Sequence, residues 1–351
     1  MNNIININNF KISRNDPVFI IAEVGVNHNG DLELAKKLIK EAARCGADCV
    51  KFQTFKAEKL VTHDAPKANY QLQTTEKNES QLEMLKKLEM SIDKYSEIIK
   101  CCEDEGVLFI STPYNIEDVD FLEDLGVSAY KLASMHAAEP WFARYVAKKN
   151  KPIFLSTGMS TLSEIDLTVT SIKETSNNKL ILLQCTTNYP SRIEDANLLA
   201  MKTMSETFNL ITGYSDHTED DTACIVSVAL GAKVIEKHFT LDKSLPGPDQ
   251  TTSANPTEFI TLVKNIRNAE KSLGLSTKQP CEIEKINKEG MRRSIVAKCD
   301  IDKGVKIIDK MIALKRPSSG ISTIYLDEII GKKTLKKILK NEMFKWNDIG
   351  E

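Results

Sequence analysis

The sequence predicts an α/β protein, a (β/α)8 TIM barrel followed by a smaller second unit. Three observations lead there. The chain has 351 residues, more than the roughly 250 that one such barrel occupies. Eight short β-rich runs, at 18–24, 48–54, 107–112, 129–134, 152–157, 180–186, 210–215 and 233–240, alternate with stretches of helical periodicity. Charge is also divided unevenly. The whole chain has a formal net charge of −2, yet residues 281–351 carry 16 Lys and Arg against 11 Asp and Glu, which marks a boundary near 275–290.

Composition narrows the class. With 41% hydrophobic and 27% charged residues, and no apolar run near the roughly 20 residues that span a bilayer, the chain reads as soluble and without membrane partners. A near-neutral balance argues against a general nucleic-acid binder, whose affinity rests on neutralising phosphates. The start, Met1 to Phe10, is Asn-rich and lacks the basic and apolar regions of a signal peptide, so a cytoplasmic protein is expected. Eight cysteines, including the adjacent Cys101 and Cys102 but no CxxC, fit reduced thiols. The basic run from Gly331 to Lys340 reads as a solvated helix face.

Taken in order, nearly every predicted strand ends in polar residues, and in a barrel of this type the C-terminal strand ends form the active site. The first run holds Glu23, and Asp31 then caps a helix carrying Leu32, Ala35, Leu38, Ile39 and Ala42 on one face up to Gly46. The second holds Lys51 and Gln53, the third Ser111 and Thr112, the fourth Lys131 and Ser134, the fifth Ser156 and Thr157. The sixth holds Gln184 with Thr186 and Thr187 beyond, the seventh Ser215, Asp216 and His217, and the eighth Glu236 and His238. Asn255-Pro256-Thr257-Glu258 then starts a closing helix that ends near Gly274.

Two lysines inside apolar strands, Val50-Lys51-Phe52 and Tyr130-Lys131-Leu132, are costly unless a charge meets them. Pairing with Glu23 or Glu236 is one solution. An anionic ligand, helped by the hydroxyls of Thr112, Ser134, Ser156 and Ser215, is the other. His217 and His238 end consecutive strands beside Glu23 and Asp249, where their imidazoles can converge on one divalent cation. The absence of cysteine there favours Mn²⁺, with Mg²⁺ or Co²⁺ as alternatives, over structural zinc.

These motifs together resemble the sialic acid synthase family, the bacterial N-acetylneuraminate and legionaminate synthases, across essentially the whole chain. The matching segments are Ile21-Ala-Glu-Val-Gly-Val-Asn-His-Asn-Gly30, Val50-Lys-Phe-Gln-Thr54, Leu155-Ser-Thr-Gly-Met159, Gly213-Tyr-Ser-Asp-His217, Glu236-Lys-His-Phe-Thr240 and Leu245-Pro-Gly-Pro-Asp249. The resemblance implies a catalytic barrel over 1–274, a linker over 275–286 and a small antifreeze-like (SAF, β-clip) domain over 287–351. It implies phosphoenolpyruvate bound by Lys51, Thr112, Lys131, Ser134, Ser156, Thr187 and Ser215. An N-acyl mannosamine-type sugar would lie on Glu23, Gln53, Asn69, Tyr189, Asp249 and Arg316, and the metal on His217 and His238. Arg316, in Lys315-Arg316-Pro317, would reach the partner's site across an extended linker in a domain-swapped homodimer.

Two positions depart from the family pattern. Thr187 stands where some members have Asn or Ser, and Lys131-Leu-Ala-Ser-Met-His136 replaces Lys-x-x-Ser-Gly-Glu, so His136 takes the place of a carboxylate. The expected reaction is condensation of phosphoenolpyruvate with open-chain N-acetylmannosamine, catalysed by Glu23, His217 and His238. A 2,4-diacetamido-2,4,6-trideoxymannose, as in a legionaminate synthase, is the alternative acceptor. A metal-dependent aldolase and a non-catalytic sugar-binding protein are the competing classes.

Overall fold

The computed structural model describes residues 4–68, 70–76 and 78–351, in two compact units, Met1–Gly274 and Leu275–Glu351. In the first unit eight parallel strands close into a barrel: β1 (Phe19–Gly25), β2 (Cys49–Thr54), β3 (Leu108–Pro113), β4 (Tyr130–Leu132), β5 (Ile153–Ser156), β6 (Leu180–Cys185), β7 (Ile211–Asp216) and β8 (Val234–His238). Strand β8 pairs with β1 and so completes the ring. Each strand coincides with one β-rich run of the sequence to within a few residues.

The two-residue period of a strand sorts side chains inward and outward. Outward, Ile20, Val50, Tyr130, Leu155, Leu182 and Ile235 pack against the helices in one continuous apolar cluster. The helix Leu32–Arg44 contributes the buried Ala35, Leu38, Ile39 and Ala42, and its first turn is held by Asp31 Oδ1, which accepts from the Leu34 N–H at 2.9 Å. A reciprocal cap between Asn255 and Glu258 starts the closing helix Pro256–Leu273. Inward, the lower barrel is apolar and the upper end polar.

The lower end is stoppered by something the sequence reading missed. Residues Ile5–Ile7 and Phe10–Ile12 form an antiparallel hairpin, and Ile5, Ile7 and Ile12 join Phe19, Ile21 and Phe154 in the interior cluster. The signal was present as alternation, Ile5, Ile7 and then Phe10, Ile12 about a turn in which Asn8 takes φ 48°. Asn-rich composition obscured it. Beside the first residue of β8, Gly213 is forced by proximity, since a Cβ there would lie 2.3 Å from the Val234 carbonyl oxygen and 2.8 Å from Leu183.

The second unit is built on short antiparallel pairs, Ser294–Ala297 with Ile312–Lys315 and Lys333–Thr334 with Ile349–Gly350. Ile295, Ile307, Ile338 and Phe344 are among its core residues. Two expectations are corrected here. Residues Glu282–Met291, which span the end of the predicted extended linker and the start of the small domain, form a helix, because Glu284 accepts from the Cys281 N–H at 2.9 Å and closes its first turn. The run 331–340 is not helical. Its buried positions, Thr334 and Ile338, serve a strand and an isolated bridge, while Lys333, Lys336, Lys337 and Lys340 remain exposed. Among the described residues no helix is long and apolar enough to cross a membrane.

Removing the hairpin's contribution to the plug tests this account. Ile12→Ala deletes a fully buried side chain and is expected to lower stability by about 2–5 kcal/mol, measured by denaturant unfolding. Binding of the anionic ligand expected from sequence at the opposite, polar end of the strands should stay within error of the parent.

Candidate active site

The polar end of the barrel is a compact array of charges. Lys51 and Lys131 point inward from β2 and β4 and are only 5% and 2% exposed. Lys51 Nζ lies 2.9 Å from Glu23 Oε2 and 3.7 Å from Glu236 Oε1, and donates to Thr112 Oγ1 at 3.4 Å. Lys131 Nζ lies 3.6 Å from the same Glu236 Oε1 and donates to Ser156 Oγ at 2.7 Å and to the Leu132 carbonyl at 3.1 Å. Ser215 Oγ donates to Glu236 Oε1 as well, at 3.1 Å. One carboxylate oxygen is therefore shared by two ammonium groups and a hydroxyl, while Glu236 Oε2 is buried without a hydrogen-bond partner.

Burial raises the Glu236 pKa, but Lys131 and Lys51 more than offset it, and the carboxyl ends below its ordinary range. Lys51 is driven down to about 8, first by burial. Lysine–carboxylate pairing, one of the two solutions open from sequence, is thus what the protein adopts by itself. The three hydroxyls and two ammonium groups still converge as an anion cradle. Glu236, read from sequence as a strand-end residue on the same inward face as His238 and a possible partner for a buried lysine, had been given no substrate-binding or catalytic role.

On the other side of Lys51, Glu23 Oε1 accepts from Gln53 Nε2 at 2.9 Å, and Gln53 Oε1 accepts from Tyr114 Oη at 3.0 Å. Gly25 makes room for this chain: it follows a register shift after Glu23, takes φ 39°, and a Cβ there would fall 2.6 Å from Glu23 Oε1. Gly158 does the same for two hydroxyls. Its N–H donates to Ser134 Oγ at 3.1 Å, and a Cβ would stand 2.3 Å from the Oγ1 of the exposed Thr187. Beside the mouth, a cavity of about 500 Å³ opens between the loops after β5 and β6, lined in part by Cys185 and Thr187.

The two strand-end histidines do meet. The rings of His217 and His238 are 5.4 Å apart, and Tyr189 packs on His217 at 4.0 Å and against His238 at 5.5 Å. Tyr70, which sequence reasoning did not single out, stacks on Tyr189 at 4.9 Å. His217 Nδ1 lies 2.7 Å from the Thr186 carbonyl oxygen. A carbonyl only accepts, so Nδ1 carries a proton and Nε2 is the nitrogen left for a ligand. Burial holds His238 well below its ordinary pKa, hence neutral, and its Nδ1 lacks a hydrogen-bond partner, with Asp249 Oδ2 at 3.8 Å. The Asp249 carboxyl itself is pushed up to about 6 by burial. Among the described residues no group of three or more His, Cys, Asp and Glu is arranged around one point. Burial lowers the His217 pKa, but Cys185, whose Sγ lies 3.8 Å from Nδ1, and the Thr186 carbonyl more than offset it and raise it above the ordinary value. With its Nε2 deprotonated, this imidazole and that of His238 fit a divalent cation that would take its remaining ligands from substrate or water.

Three predicted residues stand apart. Asn69 lies outside the described residues. Arg316 belongs to the second unit, where it is exposed directly after the strand Ile312–Lys315. His136 is fully buried, its ring stacked on Phe142 at 4.6 Å and tilted to Tyr114 at 5.8 Å. Its Nδ1 accepts from the Ala133 N–H at 3.0 Å and its Nε2 has no hydrogen-bond partner. Burial, followed by the charge of Lys131, pulls its pKa down to about 3. In place of a carboxylate the protein has a neutral ring.

Comparison with known proteins agrees with this geometry. A family model described as the NeuB family matches residues 38–278, and one described as the SAF domain matches residues 292–350. The chain is 44% identical over 328 residues to the N,N'-diacetyllegionaminic acid synthase of Campylobacter jejuni subsp. jejuni, covering 93% of this chain and 98% of the relative. It is 41% identical over 335 residues to the synthase of the same name from Legionella pneumophila subsp. pneumophila, covering 94% of each. Among solved structures, the N-acetylneuraminic acid synthetase of Leptospira borgpetersenii serovar Hardjo-bovis superposes with a TM-score of 0.74 at 32% identity, covering 82% of this chain and 95% of that one.

The neutral His136 makes a pH prediction. Its folded pKa of about 3 lies below the unfolded value, so the stability it permits is full above roughly pH 6.5 and falls as pH drops from there toward 3. His136→Gln keeps an acceptor for the Ala133 N–H but cannot titrate. Its stability should decline less steeply than the parent's between pH 6.5 and 4.5, by about 1.4 kcal/mol per pH unit at the limit, as read from denaturant midpoints.

Proposed function

The chain belongs to the NeuB family of sialic acid synthases, enzymes that condense phosphoenolpyruvate with a sugar, and we propose that its acceptor is a 2,4-diacetamido-2,4,6-trideoxymannose. The two full-length relatives named for N,N'-diacetyllegionaminic acid favour that sugar. N-acetylmannosamine is the second reading, favoured by the likeness to a solved N-acetylneuraminic acid synthetase.

The observation that carries the site assignment is the pair of buried lysines on one carboxylate oxygen. Phosphoenolpyruvate takes the cradle of Lys51 and Lys131 with the hydroxyls of Thr112, Ser134, Ser156, Thr187 and Ser215, where fixed cations and donors bind its carboxylate and phosphate better than water does. The sugar lies toward Gln53, Glu23, Tyr189 and Asp249, with Asn69 a further residue that the family pattern assigns to it and Arg316 supplied by the partner in a domain-swapped homodimer. The opposite net charges of the two parts of the chain support that docking. His217 and His238 hold a divalent cation, Mn²⁺ by preference, which when bound polarises the sugar aldehyde.

C3 of phosphoenolpyruvate forms the new bond to the aldehyde carbon, whose oxygen ends as a hydroxyl. Water adds to C2 and loses one proton. The bond from C2 to the phosphate-bearing oxygen then breaks with its electron pair leaving on phosphate, as the remaining hydroxyl proton is lost and C2 becomes a ketone. Of the two protons released, one balances that taken up by the aldehyde oxygen and the other goes to phosphate or solvent. The product is a nine-carbon 2-keto acid. Glu23, held by Lys51 on one oxygen and Gln53 on the other, is the group assigned to the proton of the aldehyde oxygen. Phosphoenolpyruvate chemistry of this kind belongs in the cytoplasm.

Phosphate release separates the readings. With phosphoenolpyruvate and Mn²⁺, the diacetamido sugar should be turned over with the higher kcat/KM and N-acetylmannosamine more slowly, and excess chelator should abolish both. Equal rates, or a preference for N-acetylmannosamine, would reverse the acceptor assignment, and unchanged turnover in chelator would remove the metal. In a second test, Lys131→Met leaves Glu236 and a bound anion short of a cation. It should weaken phosphoenolpyruvate binding by about 3–5 kcal/mol while changing sugar KM far less.

A further inference from the structure

The motif residues facing the barrel interior are interleaved with two charges that face the other way. Asp216 stands between Ser215 and His217, and Lys237 between Glu236 and His238. The strand period turns both to the outer face of the sheet, where neighbouring packing is apolar. They are register partners across β7 and β8, with Lys237 Nζ 2.6 Å from Asp216 Oδ2, and are 4% and 1% exposed.

The pair is fully satisfied. The ammonium also donates to the carbonyls of Thr218 at 2.6 Å and Asp220 at 3.0 Å, so each of its three protons has an acceptor. Asp216 Oδ1 accepts from the Thr218 N–H and from Thr218 Oγ1, both at 2.8 Å, and the Cys224 thiol donates to Oδ2 at 3.2 Å. Compared with apolar packing, a buried ion pair adds little net stability; what it contributes best is selection of one arrangement. Here the alternative is a slip of β8 against β7, which by a single residue would turn His238 out of the barrel and break the pair.

The tie extends past the strands. Through Thr218 and Asp220, Lys237 fixes the turn that follows His217. Ser191 donates its N–H to the His217 carbonyl at 2.7 Å and bridges to Thr218, which carries the tie on to the loop that lays Tyr189 over the His217 ring. We infer that Asp216 and Lys237 are positioning residues that, through the backbone of β7, β8 and the turn at Thr218, hold the two imidazoles at the spacing a divalent cation requires. The inference rests on the cation reading proposed above and assigns a specific task to residues that touch neither cation nor substrate.

Its test uses the full chain and two variants, Asp216→Asn/Lys237→Met and Asp216→Glu. Mn²⁺ titration followed by electron paramagnetic resonance, thermal melting, and ring ¹⁵N spectra of the histidines without added metal are recorded for each. The double variant leaves no buried charge unpaired and is expected to melt near the parent. It should nevertheless bind Mn²⁺ about 10- to 100-fold more weakly, and its His217 ring should lose the single Nδ1–H tautomer of the parent. Parental Mn²⁺ affinity with a parental His217 spectrum overturns the inference. If the parent itself binds no Mn²⁺, the cation reading fails, and the ring spectra still decide whether the pair positions His217. Should the double variant not fold, Asp216→Glu, which keeps both charges on a longer arm, decides in the same way: weaker Mn²⁺ binding and a mixed His217 tautomer support the inference, and parental behaviour in both overturns it.

Discussion

Two ammonium groups enclosed in a barrel that is otherwise apolar below them set the terms for the whole upper end of this protein. Lys51 and Lys131 cannot stay charged in such a place without counter-charge, and Glu23 and Glu236 supply it at 2.9 to 3.7 Å. The arrangement is neutral overall but not saturated. Glu236 shares one oxygen and leaves the other unpartnered, and the hydroxyls of Thr112, Ser156 and Ser215 already point at the charged atoms. An anionic group entering here would meet cations and donors whose desolvation has largely been completed during folding, which is the physical meaning of a preorganised site.

The same two-residue period that delivers those charges also divides labour across the sheet. Inward positions of β7 and β8 place Ser215, Glu236 and His238 at the polar end of the barrel. Outward positions hold the Asp216–Lys237 ion pair. Three close approaches complete the geometry, and each depends on a missing Cβ: Gly213 between β7 and β8, Gly25 beside Glu23, and Gly158 between Ser134 and Thr187. At the opposite end the hairpin of Ile5, Ile7 and Ile12 seals the barrel with apolar surface. Water is thereby kept from the floor beneath the charged layer.

Much of this was legible beforehand because barrel strands announce themselves twice, by a short β-rich run and by a polar residue at its end. Glu23, Lys51, Gln53, Thr112, Lys131, Ser134, Ser156, Ser215, His217 and His238 were all found that way. What escaped did so for identifiable reasons. The hairpin was hidden by asparagines, and residues 282–291 were not read as a helix because that helix buries none of its own side chains. Tyr70 and Tyr114 come from loops, where no period predicts which way a ring turns. His136 was read as a substitution for a carboxylate near the reaction. Its neutrality became clear only from the burial around it and the backbone N–H that occupies its Nδ1.

By itself the sequence determined the fold class, the order of the strands and the inventory of groups at the mouth, because alternation and strand ends are local properties that survive without knowledge of neighbours. The tertiary structure alone decided the pairings. That Lys51 and Lys131 share Glu236, that His217 spends its Nδ1 proton on Thr186 while His238 stays neutral, and that Asp216 meets Lys237 behind the sheet depend on register across strands and on the dielectric of the closed barrel. Neither is written in any single stretch of chain, since both arise only when residues far apart in sequence exclude water together.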